Sequence, residues 1–133
     1  MKKYVILAAL GLFSIAPIWG NTNCKSLRRL YDIDNEEYFV NRLPKDTEIR
    51  AVRTKEDVLA QTSYENNHFI ITYNTQYNMG QDHEHLVLYH EECHIVTWQF
   101  NTERTQHPKE WKKCMRRLKE IGAFDNILFE DFR

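Results

Sequence analysis

Apolar residues change their period along the chain, and each change marks a different kind of element. Between Cys24 and Leu43 they fall at Leu27, Leu30, Tyr31, Tyr38, Phe39 and Leu43, which predicts one or two short helices stopped by Pro44. Asp34 followed by Glu37 has the form of a capping box and places a restart near Asn35. From Asp46 the period shortens: Thr47 to Val52 alternates, and Asp57 to Gln61 does so more loosely, so both read as strands. A turn at Glu65-Asn66-Asn67 leads into His68 to Tyr73, whose β-branched and aromatic residues complete a hairpin.

Past a polar loop from Asn74 to Asp82 the helical period returns. Asp82 can cap a helix from His83 to about Phe100, and Asn101 to Gln106 forms a second loop. His107-Pro108 then opens another helix, where proline suits the first turn. That helix runs to about Ile121 and stops at Gly122, with Lys112, Lys113, Arg116, Arg117 and Lys119 weighting its later turns favourably toward the dipole. Glu110 and Glu120 interrupt these basic residues, so they read as a solvated face rather than a nucleic-acid patch. Ala123 to Arg133 carries no clear pattern, and the chain shows no internal repeat.

Composition narrows the class. With 133 residues, 42% apolar and 13% aromatic, the chain has material for one compact core and is not disordered. Its first twenty residues stand apart, because Lys2 and Lys3 precede an uncharged apolar run from Tyr4 to Trp19. This layout predicts a signal peptide over residues 1–20, cleaved after Gly20, and a single domain over 21–133. The run is shorter than the roughly 20 residues that span a bilayer, and polar residues precede Cys24, so no stable membrane anchor is expected. The protein is thus expected in the periplasm or outside the cell. Removing the leader leaves 16 basic against 19 acidic side chains, a net −3, which gives no general attraction to nucleic acid. Export implies an oxidising compartment, where Cys24, Cys93 and Cys114 can form one bridge. The spacing does not fix the pairing; Cys114 shares the buried face of its helix, which favours Cys24 with Cys114 and leaves Cys93 reduced.

The chemistry concentrates at His90-Glu91-Glu92-Cys93-His94. On a helix, residues four apart share a face, so the two imidazoles can reach one ion at about 2.0–2.1 Å. Glu91 falls beside that face, where a general base stands to take a proton from water. For a third ligand, His107 opens a helix whose stripe continues through Trp111, Cys114, Met115 and Leu118, and so points inward. His83 shares the face of His90 but lies two turns away, about 10 Å at 1.5 Å per residue. His85 points elsewhere and is expected to be solvated, and His68 is expected to be an ordinary strand residue. Three protein ligands leave a fourth position for water, the arrangement of a catalytic zinc rather than a structural one. Tyr73, Tyr77 and Tyr89 are candidates to stabilise an oxyanion, and the strand from Phe69 to Tyr73 is expected beside the cleft.

The arrangement His90-Glu91-x-x-His94, twelve intervening residues, then His107-x-x-x-Trp111 with Met115 beyond, resembles the SprT-like zinc metallopeptidases. The resemblance spans roughly Ala60 to Met115, and Pro108 stands where family members usually have glycine. It implies an α+β, minimal zincin-like domain, with a small antiparallel sheet packed on a metal-binding helix pair. It also implies one catalytic zinc ion on His90, His94 and His107, with Glu91 as the base. Intracellular relatives act on protein crosslinked to DNA, whereas the leader here points to a protein or peptide substrate in the envelope and no nucleic-acid partner. The function expected is peptide-bond hydrolysis. The competing readings are a non-catalytic zinc-binding interaction module, for which Glu91 would be superfluous, and a cell-wall peptide amidase.

Overall fold

The computed structural model describes residues 22–125 and Ile127. The signal peptide expected over residues 1–20 lies outside the described residues. Six elements follow in chain order: α1 (Cys24–Glu37), β1 (Glu48–Val52), β2 (Ala60–Glu65), β3 (His68–Asn74), α2 (Gln81–Val96) and α3 (Lys109–Glu120), with a 3₁₀ turn at Trp98–Phe100. The α+β class matches the expectation. Among the described residues no helix is long and apolar enough to cross a membrane.

α1 starts where the Asn23 side chain accepts the Ser26 N–H, and it buries Leu27 and Tyr31, one turn apart. It runs through the expected restart without a break. Asp34 does not cap a second helix, because its carboxylate is taken by His85 on α2. The helix instead ends well before Pro44, with Val40 and Asn41 in the left-handed region. Asn35 pins the returning chain by bonding both the N–H and the carbonyl of Leu43.

The sheet has the order β1-β3-β2 and corrects the antiparallel expectation. β2 and β3 form the anticipated hairpin, from Ala60 opposite Tyr73 to Glu65 opposite His68. Asn66 and Asn67 both have positive φ, the backbone a two-residue turn needs to follow the strand twist. β1, however, pairs parallel to β3 on its other side, with Glu48 opposite Ile70 and Val52 opposite Asn74. Alternation reports which face a side chain takes; it carries no information on strand direction. The crossover from β1 to β2 is tied down by buried Asn74, whose amide donates to the carbonyls of Glu56 and Val58 while its oxygen accepts the Thr54 and Gln76 N–H groups. β2 therefore begins at Ala60, later than the alternation from Asp57 suggests.

The core lies between α1, the sheet and α2, where Tyr31, Ile71, Tyr73 and Leu88 are fully enclosed. Burial of each such side chain is worth roughly 1.5–3 kcal/mol, enough for this layer to fix α2 against the sheet. α3 is more lightly held: Leu118 is its one fully buried residue. Gly122 ends it with φ of 91°, a left-handed conformation that glycine adopts at little cost.

Candidate metal centre

α2 brings His90 and His94 to one face, one turn apart, as their spacing requires. The loop after α2 returns His107 to the same place, just before Pro108 starts α3. The Nε2 atoms of His94 and His107 each lie 3.2 Å from Nε2 of His90. Two nitrogens held tetrahedrally at 2.0–2.1 Å from one ion stand roughly 3.3 Å apart, so the three rings fit a single metal ion.

Electrostatics agree with geometry. Burial lowers the His90 pKa to about 4 and the His94 pKa to about 3, with the neighbouring histidines adding to both. These rings therefore stay neutral at physiological pH and keep the lone pairs that a metal takes. Trp111 packs against both rings: its indole meets the His90 ring edge-on with centroids 4.7 Å apart and stacks on His94 at 5.5 Å, while its Nε1–H donates to the His90 backbone carbonyl at 3.1 Å. Stacking has particular weight for His94, whose Nδ1 is buried with no hydrogen-bond partner.

Glu91 is 4% exposed and faces the same cleft from beside His90, with Oε2 4.0 Å from His90 Nε2. Its other oxygen accepts a 2.6 Å hydrogen bond from the Thr62 hydroxyl on β2. Burial raises the Glu91 pKa to about 7, and the Thr62 bond pulls the other way. A carboxyl near neutrality is suited to accept a proton and return it. The cleft measures about 690 Å³, with Ala60, Gln61 and Thr62 of β2 along one wall and the histidines along another.

A model of the SprT-like family matches residues 27–128. The chain belongs to the SprT-like family. No curated protein matches it.

In this SprT-like domain the four residues expected from the sequence, His90, Glu91, His94 and His107, meet at one point. Other expectations are corrected. β3 is the central strand, paired on both sides, so the wall of the cleft is β2 and not Phe69 to Tyr73. The hydroxyls of Tyr73, Tyr77 and Tyr89 go to the Glu84 carbonyl, the Asp57 carboxylate and the Ala123 carbonyl, so none serves the cleft. His85 is not solvated: its Nε2 lies 3.1 and 3.2 Å from the two Asp34 oxygens, and its ring stacks on Tyr89. His68 bonds the Glu48 side chain and the Asn66 carbonyl from its place in β3. Cys93 pairs with Cys114 and Cys24 is free, the reverse of the favoured pairing. The faces of α2 and α3 must meet to join His107 to His90, and Cys93 and Cys114 lie on those faces, so the helical spacing held a signal for this bridge. Thr62 carried none, since a threonine in a strand is ordinary until the strand is placed beside Glu91.

Proposed function

We propose that this chain is a zinc-dependent metallopeptidase that cleaves protein or peptide substrates. The observation that carries the reading is the convergence of three neutral imidazoles with a buried carboxyl at the wall of one open cleft. Zinc is the metal best matched to a three-histidine set, and when bound it polarises a carbonyl and acidifies water. His90, His94 and His107 hold it, and Trp111 packs against the first two rings. Glu91 takes the proton of the attacking water and passes it to the departing amine. Thr62 holds one Glu91 oxygen, which leaves the second directed toward the histidine side of the cleft.

β2 is an edge strand, with β3 on one side and the cleft on the other. An extended peptide can add to such an edge through backbone hydrogen bonds, which selects for unfolded segments more than for a particular sequence. The leader sequence supports work in the periplasm or outside the cell, on envelope or extracellular protein. The test compares wild type with Glu91→Gln on unfolded proteins and wall peptides, with zinc measured in both. Cleavage of the proteins is expected to fall by about 10²–10⁴-fold while one zinc per chain is retained. Equal cleavage at equal zinc content removes Glu91 from the mechanism, and cleavage confined to wall peptides favours an amidase.

A further inference from the structure

We infer that the Cys93–Cys114 disulfide is a positioning element of the metal centre: it fixes α3 so that His107 stays within reach of the ion, and zinc affinity depends on it. The inference rests on the zinc reading above and concerns how the third ligand is held. Cys93 sits on α2 one residue before His94, and its bridge to Cys114 closes a segment that contains His94, His107 and Trp111. Its other anchors are Pro108, buried beside His107, and Trp111 and Met115, which are only partly buried against the core. Thr102 to His107 are exposed, and the one buried residue of α3, Leu118, lies toward its far end. On the His107 side of Leu118, the Trp111 bond to the His90 carbonyl and the bridge itself tie α3 to α2.

His90 and His94 share one helix and need no such tie, since the turn between them sets their separation. His107 has no helical partner on α2, so its alignment is a tertiary property. A cross-link removes the conformations in which α3 swings away, and a ligand that is correctly placed only part of the time weakens binding by that fraction. Cys93 and Cys114 thus act through His107 and not on the metal.

The experiment measures zinc affinity by competition with a chromogenic chelator for wild type, Cys93→Ala/Cys114→Ala, His107→Ala and the triple variant. Alanine is chosen because Cys93 is completely buried. The bridge variant is expected to bind zinc at least tenfold more weakly. His107→Ala is expected to cost much less in that background than in wild type, because the ligand is already misplaced. Affinity within twofold of wild type, or losses that simply multiply, overturns the inference. A wild type that takes up no zinc instead defeats the metal reading itself. Should the alanine pair fail to fold, wild type reduced by a water-soluble trialkylphosphine, with its thiols counted, gives the same comparison. In that step the disulfide takes two electrons from phosphorus, water supplies the two thiol protons and the oxygen of the phosphine oxide, and the reductant brings no external thiol to compete for zinc.

Discussion

Two faces of α2 each carry histidine chemistry, yet they differ in what the imidazole nitrogen meets. On one face His85 Nε2 is occupied by both oxygens of buried Asp34, and Glu92, wholly enclosed nearby, has its pKa held well above the usual carboxyl range by burial and by Asp34. On the other face His90, His94 and His107 direct their Nε2 atoms at one another, and the nearest acid, Glu91, is tied back by Thr62. The first face is a closed polar contact inside the fold. The second leaves lone pairs converging at an open cleft. A histidine beside a carboxylate is thus no sign of a ligand; several neutral rings with a common focus are.

The sharpest way to break this contrast is to remove a ring from each face. His107→Ala is expected to weaken zinc binding by 100-fold or more, whereas His85→Ala keeps wild-type zinc affinity and costs about 2–3 kcal/mol of stability, because Asp34 loses its partner. Zinc titration and chemical denaturation read the two effects separately. An equal loss of zinc from both variants would erase the distinction.

A second effect concerns the price of keeping Glu91 buried. Its carboxyl ionises near 4.5 in the unfolded chain and about 7 in the folded protein, so stability falls as pH rises between those values. Metal-free Glu91→Gln is therefore expected to exceed metal-free wild type in stability at pH 8 by on the order of 2 kcal/mol, and to match it near pH 4. Denaturation curves at the two pH values check both the sign and the window. A smaller effect falls on Thr62. Thr62→Val should lower kcat roughly tenfold with KM nearly unchanged, and Thr62→Ser should restore most of it. Loss of the hydroxyl also removes a bond that lowers the Glu91 pKa, so the acidic limb of the rate profile moves to higher pH. A rise in KM with kcat unchanged, or no rescue by serine, would assign Thr62 to packing of the cleft wall.

The readable part of the site was local. His90, Glu91 and His94 lie within one helical turn, and the 3.6 period alone places them. His107 was legible through the stripe that follows it, since Trp111, Cys114, Met115 and Leu118 show which way α3 faces. The hairpin was legible for the same reason, as Asn66-Asn67 is a turn signal between two strands. What the residues concealed is long-range. The Asp34–His85 contact joins positions 51 apart, the Thr62–Glu91 bond 29 apart, and the parallel pairing of β1 depends on where a crossover lands. None of these leaves a periodic trace, because each is settled when layers pack rather than when a turn forms.

The ligand set itself gives the most direct measurement. X-ray absorption at the zinc edge of the metal-loaded wild-type protein should show three imidazole nitrogens and one further oxygen at about 2.0–2.1 Å, and His107→Ala should lose one nitrogen. A sulfur neighbour near 2.3 Å, or a spectrum unchanged by His107→Ala, would contradict the three-histidine centre.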